Sequence, residues 1–324
     1  MTALQYQTIC KINSFQKSFL LLIVIFNINI NSSHGGTTPI PDKASSSQFG
    51  NTEGSILPFP KSQNTNNGLT NSFKTINGTT YYVNTTGNNS DGLTPAKAWT
   101  SMTKINSTLF KPGDKVLFEG GKTFIGNITI DSSDGNDPAN PVIFSSYGSG
   151  KATIHTSSTN ICGFKSTNTQ GIFISNLNFT GPGNGTKYDI DGILFYTTNN
   201  SGYLSNIQIN NVEVSGFGFC GIRFYSQLSS NVKAGFKRVV VDSCIVHDCR
   251  ENGIITIGYD DQIAKYYQHY NVRISHCKVY NIPGYASSTH KGSGIRLSQV
   301  DSVLIEHCEA FNTGTANTAC GGPG

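Results

Sequence analysis

The sequence predicts an all-β fold, a parallel β-helix (a solenoid) preceded by a short amino-terminal capping α-helix. Three observations predict it. A strand-like motif recurs about every 32 residues through the second half of the chain. No segment past residue 112 carries a helical period. The composition is also telling. The chain has 324 residues, of which only 13% are charged, yet it holds 35 Gly, 33 Asn, 19 Phe and 14 Tyr. Soluble chains average about a quarter charged residues. Disordered chains lack large apolar residues, and this one does not. Many turns joining many short strands account for both facts.

The amino terminus is read first. Lys11 and Lys17 precede the apolar run Phe19–Phe26, and residues 1–34 hold no acid. The run has the length of a secretory signal core and is short for a membrane span. Residues 1–34 are therefore expected to be a signal peptide, which makes the mature protein secreted, with no membrane span after cleavage. Residues 35–78 are rich in Ser, Thr, Asn, Pro and Gly without a sustained period and read as a disordered linker. Nine Asn-x-Ser/Thr sequons, among them Asn84, Asn88, Asn106 and Asn127, make a glycoprotein the matching expectation.

Residues 79–155 are expected to form the cap and first coils. Thr80–Val83 is a β-type run. Thr94 is placed to cap a helix and Pro95 suits its first position. Trp99, Met102, Ile105 and Leu109 then recur at helical spacing, which predicts one helix over 95–109, closed by Lys111-Pro-Gly-Asp114. Val116–Phe118, Asn127–Ile130, Val142–Phe144 and Ala152–Ile154 follow as strands.

Residues 156–324 are expected to be β-helix repeats. The motif apolar-x-apolar-x-x-apolar/Cys-x-apolar starts at Ile172, Ile207, Val239, Val272 and Val303. Aligning the copies writes out the stacks. Val212, Cys244, Cys277 and Cys308 make one inward column; Ile193, Ile222, Ile254 and Ile295, each after a Gly, make another. Gly216, Asp248, Asn281 and Asn312 share a turn position, where residues tolerant of left-handed backbone angles belong. The surplus length of each coil falls in loops, chiefly 180–190, 226–236, 258–270 and 282–293.

The run from Tyr81 to Trp99, with Lys111–Gly121 and Asn140–Gly148, resembles the opening segment of secreted right-handed parallel β-helix proteins of the pectate-lyase-like superfamily. The Gly-Ile and Cys-x-Val coils continue the likeness over residues 80–324. The resemblance implies a right-handed solenoid, a helix that shields its first coil, and a polysaccharide as partner. Members usually run on for more coils, so the coils are expected to be carboxy-terminally incomplete at Cys320–Gly324.

A formal net charge of +4 without clustered Lys/Arg excludes a nucleic-acid binder working by phosphate neutralisation. Mean hydropathy of −0.23 and a single short apolar run exclude a polytopic membrane protein. A β-elimination lyase needs a base, usually Lys or Arg in this superfamily, and neutralisation of the uronate carboxylate, often by calcium. Outward columns supply the candidates. Arg273 falls near Asp242 and Glu306, one coil away on either side, and these three are the candidate catalytic set. His276 and His307 stack beside them, while Arg223 and Arg296 follow Gly-Ile two coils apart; with Tyr267 on a long loop they are candidate substrate-binding residues. A surface ion pair on a solvated sheet is the competing, and simpler, reading of the Arg273 group. Asp248–Asn252, facing Asp260 and Asp261, is a second candidate. Tyr259, Tyr266, Tyr270 and Tyr285 could stack on sugar rings. Asp131–Asp137 has the look of a calcium loop but lacks the closing Glu. Cys220 and Cys249 are the preferred disulfide in an oxidising compartment. The reading is a monomeric protein that binds or processes extracellular polysaccharide, as an enzyme of the polysaccharide lyase type on acidic glycans if active, with a non-catalytic carbohydrate-binding or matrix protein, or an inactive fragment, as alternatives.

Overall fold

The computed structural model describes residues 78–184, 190–228, 231–258, 266–285 and 291–317. The expected signal peptide, nearly all of the linker, Tyr259, Asp260, Asp261 and Cys320 lie outside the described residues. Among the described residues, the chain winds through three parallel sheets. Sheet A has eight strands, from Thr80–Val83 to Val300–Glu306. Sheet B has seven, from Thr123–Ile125 to Glu309–Thr313, and sheet C six, from Ile128–Ile130 to Ser293–Leu297. Each strand pairs with the equivalent strand one coil earlier and one coil later. This is the right-handed parallel β-helix expected from the sequence. No helix among the described residues is long and apolar enough to cross a membrane.

The inward columns stack in the register that the repeat dictates. Ile193, Ile222, Ile254 and Ile295 are successive partners in sheet C. Val212, Cys244 and Cys277 are buried in line, with Cys308 packed against the same core. Phenylalanines fill the wider part of the interior. Phe195 and Phe224 stack at 5.1 Å, and Phe236 packs edge-on against both. Offset and edge-on ring pairs of this kind add to the gain from burial alone. The glycine before each Ile has a packing cause. A Cβ on Gly192, Gly221 or Gly253 would lie 2.1–2.3 Å from the side chain of Val214, Val246 or Val279 in sheet B. The Gly-Ile motif is thus the point where the chain turns tightly over the neighbouring sheet.

The corners differ. From the fourth coil on, the chain turns between sheets A and B on one left-handed residue: Asn176, Asn211, Ser243, His276 and His307, all with φ of 51–54°. The Asn211 amide donates to the Asn176 side-chain oxygen at 2.8 Å, one coil away. Gly216, Asp248, Asn281 and Asn312 form the expected second left-handed ladder, after sheet B. A third, which the sequence reading did not identify, breaks the sheet A strands at Asn206, Arg238, Asn271 and Ser302, with φ of 53–63°.

Two expectations are corrected. The helix over 95–109 is instead two short pieces, a 3-10 turn at Pro95–Lys97 and an α-helix at Met102–Asn106. Thr94 caps the first as expected; Ser101 caps the second. Trp99 leaves the helical path because its backbone bridges to Val83 and its ring stacks on Tyr81 at 4.6 Å. Strand pairing and ring burial outweigh the local period. Leu109 points outward and is 63% exposed. Cys220 and Cys249 are both free thiols, buried in the corner between sheets B and C. Burial pushes the Cys249 thiol up to about 12, so it behaves as a packing group.

Candidate functional site

The corner between sheets B and C holds two nearly fully buried carboxylates, Asp191 and Glu251. Its two columns follow from the coil register. Asp191, Cys220, Asn252 and Ser293 immediately precede the Gly-Ile glycines. One residue earlier come Ile190, Phe219, Glu251 and Gly292.

Asp191 is fully buried. Its carboxylate accepts two hydrogen bonds from the Arg223 guanidinium, at 3.1 and 2.7 Å, and one from the Cys220 amide at 3.2 Å. Burial drives the Asp191 carboxyl above its usual range, against the pull of Arg223. Glu251 is 1% exposed. It pairs with the Lys291 ammonium and accepts the Tyr285 hydroxyl hydrogen at 3.1 Å. The Phe219 ring lies between the two pairs, with the Arg223 guanidinium 4.5 Å and the Lys291 ammonium 5.2 Å from its centroid. Arg250 stands 5.6 Å over the Tyr285 ring. Two carboxylates, three cations, a phenol and an aromatic platform therefore share one corner. Arg223 and Lys291 keep part of their side chains in solvent, at 16% and 21%.

The outward face of sheet C extends this charge. One column runs Thr129, Lys165, Leu194, Arg223, Ile255, Arg296. Cations occupy every second rung. With about 4.8 Å between strands, their backbones repeat every ~10 Å. Arg223 and Arg296 thus share a face as expected, but Arg223 is already held by a buried carboxylate.

The other predicted residues lie elsewhere. On sheet A, Arg273 donates to Glu306 at 3.0 and 2.7 Å. Asp242 does not complete this group. It takes its hydrogen bonds from Ser275, His276, Ser243 and Asn210. Burial alone would raise the Asp242 carboxyl, but these donors bring it below its usual range. His276 and His307 stack at 5.1 Å as expected, yet both are left-handed corner residues, in positions where earlier coils carry Asn or Ser. Tyr267 is half exposed and its carbonyl accepts the Tyr203 hydroxyl at 2.7 Å.

The calcium reading does not fit the residues present. Asp131 caps Ser133, Asp134 binds the Phe110 and Asp131 amides, and Asp137 caps Ala139 and Asn140. These carboxylates face local backbone and side-chain donors rather than a common point. Among the described residues no group of His, Cys, Asp and Glu converges in a metal-holding arrangement. A cleft of about 580 Å³ opens beside the capping helix, lined by Asn106, Leu109, Asn127, Asp131 and Ile161. It lacks the paired ionisable groups of the sheet B–C corner.

Sequence reasoning singled out Glu251 and Tyr285 only as members of a turn and of a loop, and missed Asp191, Phe219 and Lys291. One signal was available. Asp191 is the sole acid in a column otherwise filled by Cys, Asn and Ser, directly before an inward strand.

No family model matches the chain, and no curated protein matches it in sequence. Solved structures do match in shape. The native GH136 lacto-N-biosidase from Eubacterium ramulus superposes with a TM-score of 0.55 at 18% identity, over 71% of this chain and 51% of that one. Its selenomethionine derivative gives 0.53 at 20% identity, over 67% and 42%. The likeness is that of a right-handed parallel β-helix. This chain spans about half the length of the lacto-N-biosidase it matches. The likeness concerns the fold alone.

Proposed function

We propose that the protein processes an extracellular acidic polysaccharide by β-elimination at the corner between sheets B and C. The observation that carries this reading is the cluster Asp191–Arg223–Phe219–Lys291–Glu251–Tyr285, in which two buried carboxylates hold cations at the edge of a cationic sheet. Burying charge is costly unless it is paired, and ionisable groups kept at such cost mark functional sites.

The roles follow from the contacts. Arg223, fixed by Asp191, and its column neighbours Lys165 and Arg296 receive uronate carboxylates. Neutralising the carboxylate next to the reacting carbon acidifies that carbon's proton. The Tyr285 oxygen takes this proton while its own hydrogen passes to Glu251. The electron pair left behind forms the new carbon–carbon double bond and expels the glycosidic oxygen. That oxygen takes a proton from the Lys291 ammonium. The Glu251–Lys291 contact then returns the proton from the carboxyl to the amine, restoring the starting state. A retaining hydrolase is less well supported, because Asp191 and Glu251 lie two coils apart, about 10 Å in backbone spacing, whereas retaining enzymes hold their carboxyl groups about 5–5.5 Å apart.

Polygalacturonate and alginate, each with and without calcium, are the test substrates, and ultraviolet absorbance of the unsaturated product is the readout. Turnover is expected, and Glu251→Gln is expected to reduce it at least ~100-fold. Absence of unsaturated product from every acidic polymer overturns the reading.

A further inference from the structure

On the opposite side of the solenoid, sheet A carries a group of residues that the corner site does not use. Lys233, Lys237 and Arg238 are exposed. Among the described residues none of the three joins an ion pair. Lys237 pairs in register with Tyr270, which pairs with Asp301, the one acid in this column. Tyr270 packs edge-on against Tyr203 at 5.0 Å and against Tyr267 at 6.5 Å. The Tyr203 hydroxyl ties down the Tyr267 carbonyl, which fixes the rim of the group while leaving the Tyr267 ring half exposed. The Lys233 ammonium lies 6.0 Å over the Tyr266 ring.

The backbone adds an independent observation. Arg238 occupies the left-handed ladder whose other rungs are Asn206, Asn271 and Ser302, at φ of 56°. Asn and Gly enter that region readily and a long side chain does not. Backbone strain of this kind clusters at functional sites and ligand clamps, held in place by the surrounding structure. Asn at this rung would relieve the strain and keep the turn, so Arg238 places a charge where the turn does not require one.

We infer that this face is a second glycan-binding surface, which anchors an anionic polysaccharide through Lys233, Lys237 and Arg238 while Tyr267 and Tyr270 offer their rings to sugar C–H faces. The anionic class follows from three cations without ion-pair partners set beside aromatic rings, a pairing of charge attraction and stacking that saccharides satisfy. The surface takes the ligand class of the reading above but is independent of turnover. Because sheet A lies across the core from the B–C corner, one protein would engage polymer on two sides, and linked sites raise retention beyond either alone.

The experiment measures binding of the full chain to immobilised polygalacturonate, with neutral galactan as control. Arg238→Asn is expected to raise Tm by about 1–2 °C and yet weaken binding. Combined Lys237→Ala and Arg238→Asn is expected to weaken it about tenfold at low salt, with the difference lost near 1 M salt, where charges are screened beyond ~3 Å. Tyr267→Ala is expected to weaken it at both salt concentrations. Unchanged binding by the double variant, or equal binding of galactan, overturns the inference. If the wild-type chain turns over no acidic polymer but the double variant still loses retention, the corner reading falls and this one stands. If the wild-type chain turns over polygalacturonate and the double variant retains it fully, the reverse holds.

Discussion

The corner between sheets A and B and the corner between sheets B and C are built from the same repeat but do opposite work. From Asn176 onward the first is a single left-handed residue in each coil, and its side chains meet along the axis, Asn211 bonded to Asn176 and His276 stacked on His307. The second is longer and differs from coil to coil. Within it, residues some 30 to 40 positions apart meet in one cluster, Asp191 with Arg223 and Glu251 with Lys291. The corner between sheets C and A, also long, buries His269 and stacks it on Phe236 at 5.9 Å. A short turn fixes the coil pitch, and the longer turns are free to carry groups that the fold does not need.

The B–C corner is most sensitive at its buried ion pair. Asp191→Ala leaves the Arg223 guanidinium without its buried carboxylate. Losing one partner of such a pair typically costs about 3–5 kcal/mol. A urea midpoint that falls accordingly supports the contrast between corners; a change below ~1 kcal/mol would mean that solvent already supports Arg223.

The third corner is tested by pH. Burial lowers His269 from 6.5 to about 4, and its ring nitrogen bonds the Ile257 carbonyl at 3.0 Å. The unfolded chain takes up this proton below about pH 6.5, while the folded chain resists until about pH 4. The stability contribution is therefore complete above pH 6.5 and is lost as pH falls to 4, by about 3 kcal/mol at 1.36 kcal/mol per pH unit. His269→Gln should flatten this part of the profile. An unchanged slope would assign the acid sensitivity to other groups.

The smallest effects are expected on sheet A and at the short corner. Arg273 and Glu306 are each about 30% exposed, so Arg273→Ala should cost less than ~1 kcal/mol. His276→Asn places a residue suited to the left-handed turn and should be neutral or slightly stabilising. Assaying the same variants for turnover sharpens the comparison. A collapse of activity in Arg273→Ala would move the reaction from the B–C corner to the sheet A constellation.

Particular residues show how far the sequence could be read. The inward columns were legible because each needs only the repeat length and the apolar pattern. Aligning Ile207 with Val239 and Val272 fixes every partner downstream. The helix over 95–109 was misread because the period of Trp99, Met102, Ile105 and Leu109 is local, whereas the pairing of Trp99 with Val83 is not. The Arg273 constellation was placed on the correct rungs, but rung positions do not reveal that Asp242 turns toward Ser275 and His276. Asp191 and Lys291 are a hundred residues apart in sequence, and only winding the coils puts the Phe219 ring between their two ion pairs.

The low charge and the abundance of Gly and Asn, with the spacing of apolar residues, determined by themselves that this chain is a β-solenoid and which residues face inward. Those features act through backbone angles and burial, which depend on a residue and its repeat. The tertiary structure alone decided where charge is buried, which cations remain unpaired and which turn strains an arginine. Those depend on side chains from different coils meeting at distances of a few ångströms, where electrostatics is strong and sequence separation carries no information.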